Sequence, residues 1–89
     1  MRKIIKSSSN TFNRQAVELT NAIYGYRHFS NSIKKCLEKL GYKITTSGTH
    51  FKCYYDNHLV TTIASTPSDL NAGHQVIRYF RLFWESYEK

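Results

Sequence analysis

This chain has no long hydrophobic run, few acidic residues and little cysteine, and each shortage removes a class of explanation. Nothing approaches the ~18 consecutive apolar residues that a membrane-spanning helix needs, so no membrane partner is expected. The basic N-terminus, Met1-Arg2-Lys3-Ile4-Ile5-Lys6-Ser7-Ser8-Ser9-Asn10, is followed by no apolar core of a signal peptide. A soluble, cytoplasmic protein is the expectation. Cys36 and Cys53 are the only cysteines. One falls on the apolar face of a predicted helix and the other on that of a predicted strand. They read as free thiols buried as small hydrophobes, rather than as a disulfide or a metal pair. His28, His50, His58 and His74 have no ligand-like spacing, so neither a metal nor a cofactor is expected. There is no internal repeat and no interdomain linker, and 89 residues form a single domain, 1–89.

What is abundant is aromatic and basic. Seven Tyr, five Phe and one Trp supply much of a modest core, each able to remove roughly 150–250 Å² from water. Thirteen Lys and Arg against six Asp and Glu leave a net charge of +7. On so small a domain that charge concentrates polyanions and speeds their encounter, which makes nucleic acid the first partner to consider. A merely soluble basic protein, or one that docks on an acidic protein, is the alternative.

Residues 1–10 read as a basic arm ending in a Ser/Asn cluster. A helix is predicted over 11–25, with Phe12, Ala16, Leu19 and Ile23 on one stripe and Asn10 or Thr11 as N-cap. A second is predicted over 31–40. Ser30 caps it, Ile33, Cys36, Leu37 and Leu40 form its stripe, and Gly41 follows as the left-handed terminator. Lys34, Lys35, Glu38 and Lys39 fall on its solvated face. Three alternating strands come next. Tyr42, Ile44 and Thr46 share one face, then Phe51, Cys53 and Tyr55, then Leu59, Thr61 and Ile63. The turns Ser47-Gly48-Thr49 and Asp56-Asn57-His58 make them an antiparallel meander. A last helix is expected to start at Thr66-Pro67, with Asp69 completing a capping box. Gly73 is expected to interrupt it, and Val76, Ile77, Phe80, Phe83, Trp84 and Tyr87 form its apolar stripe. The fold class is therefore α+β: an αβββα unit over 30–87 plus an extra N-terminal helix. Helices cover one face of a three-stranded antiparallel sheet, and Lys43, Thr45, Lys52, Tyr54 and Thr62 lie on the other.

The stretch Gly48-Thr49-His50-Phe51-Lys52 carries the chemistry. A glycine–hydroxyl–histidine turn between strands offers an imidazole, a hydroxyl and backbone N–H groups to a phosphodiester. This turn, the Lys-rich helix ending in Leu40-Gly41-Tyr42, and the hairpin and third strand ending near Thr62-Ile63 resemble HicA-type toxins. Those are small ribonucleases of bacterial toxin–antitoxin pairs with a double-stranded-RNA-binding-domain-like fold. The likeness covers roughly 30–87, and small bacteriophage or mobile-element proteins of the same fold are similar too. It implies that His50 is the catalytic residue, positioned by Gly48 and Thr49, that RNA is the partner, and that a HicB-like antitoxin is a further one. The N-terminal helix is additional to that pattern, and Ser65–Gly73 departs from the family's lysine-rich entry to the last helix.

The residues themselves are consistent with that chemistry. Metal-independent RNA cleavage needs a base for the 2′-OH, charge stabilisation at phosphorus and an acid for the leaving 5′-oxygen. An imidazole, with an ordinary pKa of about 6.5, serves either proton role. Lys52, two residues along the same strand face, is placed to hold the phosphate. Tyr54 on the open face offers a ring for a base, and Lys34 and Lys35 offer phosphate contacts from the helix. A single histidine predicts a slow enzyme. Two other readings compete: a non-catalytic nucleic-acid-binding module, and a mobile-element inhibitor or regulator that binds a protein through residues 1–28.

Overall fold

The stripe Phe12, Ala16, Leu19 and Ile23 forms the buried side of helix α1 (Asn10–Ile23), each of the four at 2% exposure or less. Its N-cap is Ser9, one or two residues earlier than expected. The Ser9 hydroxyl accepts from the Phe12 N–H at 3.1 Å while itself donating to the Glu88 carboxylate. Structure is described here, in a computed structural model, for residues 9–67 and 71–88. Most of the basic arm, 1–8, and the Asp69 capping position lie outside those residues.

Helix α2 (Asn31–Lys39) begins at Ser30, whose hydroxyl accepts from the Ile33 N–H at 3.3 Å. It ends as a paired C-terminal lock. The Tyr42 N–H donates to the Leu37 carbonyl and the Gly41 N–H to that of Glu38, each at 3.0 Å, and Gly41 sits at φ +104°. That left-handed residue reverses the chain into the sheet with no Cβ penalty.

The sheet is β1 (Lys43–Ser47), β2 (His50–Tyr55) and β3 (His58–Ala64), antiparallel in the order β1-β2-β3. Both connections are two-residue loops. Asp56 and Asn57 both take positive φ, 51° and 64°, as a type I′ turn requires. In the first loop Gly48 takes φ +61°. Cys53 and Ile63 point to the helices with Tyr42 and are buried. Burial alone pushes the Cys53 thiol up to about 12.

One expected face is overturned. Tyr54 pairs with Leu59 but Cys53 pairs with Thr61, so Val60 is an extra residue in β3. The bulge turns Val60 toward the core and leaves Leu59 51% exposed, opposite Tyr54.

Helix α3 (Ala72–Tyr87) also starts later than Thr66-Pro67 suggests. Gly73 does not interrupt it. It lies buried in the first turn against the end of α1, where a Cβ would stand 2.4 Å from the Ile23 carbonyl oxygen. Val76, Phe80 and Trp84 face the core. α3 packs on β3 and α1, while α2 packs on α1 and β1. The N-terminal helix is thus additional in chain order yet integral to the core through one face. A chain of hydrogen bonds ties α3 and α1 to the residue that precedes β1. Trp84 Nε1–H donates to Tyr42 Oη at 2.7 Å, and Tyr42 Oη–H donates to Gln15 Oε1 at 2.5 Å. Burial raises the Tyr42 phenol well above its ordinary range.

Among the described residues no helix is long and apolar enough to cross a membrane.

Candidate nucleic-acid interface

With the helices on one side, strand alternation delivers every second side chain to the other. The register sets these in three cross-strand rows. His50 and Ala64 form the first, Thr45, Lys52 and Thr62 the second, and Lys43, Tyr54 and Leu59 the third. His50, Lys52 and Tyr54 therefore follow one another down the middle strand, about 7 Å apart. Of the site residues expected from sequence, this face unites His50, Lys52 and Tyr54, with Gly48 and Thr49 at its edge.

His50 is exposed. Its Nδ1 lies 3.3 Å from Thr49 Oγ1. A hydroxyl both donates and accepts, so the same contact holds the ring in either tautomer. With Nδ1 protonated, Nε2 presents a lone pair to solvent; with Nδ1 accepting, Nε2 presents a proton.

The turn is anchored from behind. The Ser65 N–H donates to the Thr49 carbonyl at 3.0 Å, and the Phe29 N–H donates to the Ser65 carbonyl at 2.7 Å. Phe29 also stacks on Phe51, the residue after His50, with ring centroids 4.1 Å apart and planes 18° from parallel. Tyr26 Oη–H donates to the Ala64 carbonyl at 2.9 Å. The segment 24–30 thus fixes the end of the sheet that carries His50. Sequence reading missed Tyr26, Phe29 and Ser65 as positioning residues, because none lies near the turn in the chain. The Phe29–Phe51 pair, two aromatics beside predicted turns, was the only signal available.

Lys34 and Lys35 do not join this face. Both are exposed on α2, in the layer on the far side of the sheet, so one phosphate cannot meet them and Lys52 together. Glu38 shares that exposed surface. His58 and His74 are also exposed, in edge contact with Tyr87 and Tyr24 at 5.8 and 6.2 Å. No group of three or more His, Cys, Asp or Glu placed to hold a metal ion occurs among the described residues.

Two grooves flank the sheet. One, of about 510 Å³, lies at the third row and is lined by Gly41, Lys43, Thr45, Tyr54, Asp56 and Asn57. The other, of the same volume, runs between β3 and α3 and is apolar, with Leu59, Tyr79, Leu82 and Tyr87 each 43–51% exposed along it. No family model, no curated protein and no solved structure matches this chain, so the functional reading rests on the geometry of the open sheet face.

Proposed function

We propose that this protein is a HicA-like RNA-binding protein that cleaves RNA without a metal ion through His50. The observation that carries the proposal is an exposed imidazole at the rim of a sheet face that none of the described helices covers, held by the Thr49 hydroxyl and followed on that face by Lys52. Nε2 of His50 removes the proton of a ribose 2′-OH. The 2′-oxygen attacks the adjacent phosphorus, and the bond to the 5′-oxygen breaks. The products are a 2′,3′-cyclic phosphate and a 5′-OH, the leaving oxygen taking its proton from the imidazolium or from water. Lys52 and the N–H groups of the Gly48–Thr49 turn face the charge that develops on the non-bridging oxygens. Proton transfer by one imidazole supplies about 10²–10⁴-fold, which makes a slow nuclease. The +7 charge supplies the encounter. A HicB-like antitoxin, as the resemblance implies, would be acidic and would cover this face.

The test is cleavage of single-stranded RNA by purified protein in excess EDTA, with and without His50→Ala. Wild type releases fragments ending in cyclic phosphate, and His50→Ala loses at least about 100-fold in rate. Equal cleavage by the two proteins refutes the assignment. A second reading, a non-catalytic RNA-binding module, draws on the second and third rows, which offer lysine, tyrosine and threonine but no second histidine and no carboxylate. It predicts salt-sensitive binding by wild type and His50→Ala alike, with no cleavage by either.

A further inference from the structure

We infer that the groove at the third row is a nucleobase subsite, placed about two nucleotides from the bond that His50 attacks. The inference rests on reading the open face as an RNA surface and specifies which part of the RNA goes where. Tyr54 belongs to the same face of β2 as His50, four residues on, a span of about 13 Å. That span matches about two nucleotides of extended single strand. Lys43 is Tyr54's cross-strand partner, and Asn57 comes from the adjoining type I′ turn. The tyrosine ring offers a stacking surface that any base can use. The asparagine amide can both donate to and accept from a base edge.

The two ends of the face differ in charge, and that difference assigns the parts of the ligand. The middle row carries Lys52, the row at the His50 end holds the imidazole, and none of the rows holds a carboxylate. At the Tyr54 end Asp56 lines the groove, its carboxylate accepting from the Tyr87 hydroxyl at 2.9 Å. A carboxylate repels a phosphate but accepts from a base N–H. The groove therefore takes a base, Lys43 at its margin takes the neighbouring phosphate, and the backbone runs on toward Lys52 and His50. Double-stranded RNA, with its bases stacked inward, does not fit this arrangement; an unpaired strand does.

The experiment uses the His50→Ala protein, so that no cleavage intervenes. It compares a labelled four-nucleotide RNA with its fully abasic ribose-phosphate counterpart, by fluorescence anisotropy at one fixed low salt concentration. The base-bearing strand binds about 5- to 100-fold tighter. Adding Tyr54→Thr, which keeps a strand-forming residue, abolishes the preference, whereas Tyr54→Phe retains it. Lys52→Ala weakens both strands alike. Equal affinity for the two strands, or a preference that survives Tyr54→Thr, overturns the subsite while leaving a phosphate-binding face. Failure of both strands to bind overturns the subsite and the RNA reading together.

Discussion

Gly73→Ala tests the packing logic most severely, because helix propensity and tertiary geometry pull in opposite directions. In a helix interior, alanine is favoured over glycine by up to about 1 kcal/mol. Here the added methyl would lie 2.4 Å from the Ile23 carbonyl oxygen, 2.9 Å from the Gly25 nitrogen and 3.2 Å from the Ile23 carbonyl carbon. These are backbone atoms, so no side chain can swing aside. The end of α1 and the first turn of α3 must separate by several tenths of an ångström or more, loosening Phe12, Ala16, Leu19 and Ile23 against Val76 and Phe80. Overpacking of this kind costs typically 1–3 kcal/mol. A clash this close with backbone belongs at the upper end of that range, so after the propensity gain a net loss of about 2 kcal/mol is expected, or roughly 8–16 °C in Tm for a domain of this size. The displaced segment continues through Gly25 to Phe29, whose N–H and ring support the His50 turn. Under the proposed function, RNA cleavage should therefore fall at temperatures where the variant is still folded. Urea unfolding followed by circular dichroism measures the first effect. A Gly73→Ala protein as stable as wild type, or more so, would show that the α1–α3 contact is not as close as described.

Two further outcomes follow from particular contacts. Tyr42→Phe removes the acceptor of the buried Trp84 Nε1–H and should cost about 1–3 kcal/mol; an unchanged urea midpoint would dissolve that link. Glu88 accepts from the Ser9 and Thr11 hydroxyls, which hold its carboxyl below the ordinary value of 4.5. A depressed carboxylate contributes stability that is complete above that value and fades as pH falls through the native pKa. Wild type should thus lose more Tm than Glu88→Gln between about pH 6 and pH 3, and parallel curves would contradict the assignment.

Much of the architecture was legible because it depends on neighbours in the chain. The i, i+4, i+7 stripe of α1 specified its buried face, Ser30 and Gly41 bounded α2, and Gly48 and Asp56-Asn57 marked the hairpins. The face of His50, Lys52 and Tyr54 also follows from alternation alone. Strict alternation fails where the hairpin register slips, and a local helix-start signal goes unused ahead of α3. Leu59 reads as a core residue until the β3 bulge exchanges its place with Val60. Thr66-Pro67 reads as a helix start, yet α3 begins at Ala72.

Local periodicity and turn chemistry are short-range properties, so the sequence by itself determined the order of elements, the bare face of the sheet and the side on which His50 stands. Tertiary structure alone decided that α1 belongs to the core and that Gly73 must have no side chain. It also decided that Phe29 and Ser65 brace a turn some 20 residues from one and 16 from the other. Those outcomes depend on which surfaces meet after the chain has folded back on itself, and no window of sequence contains both partners.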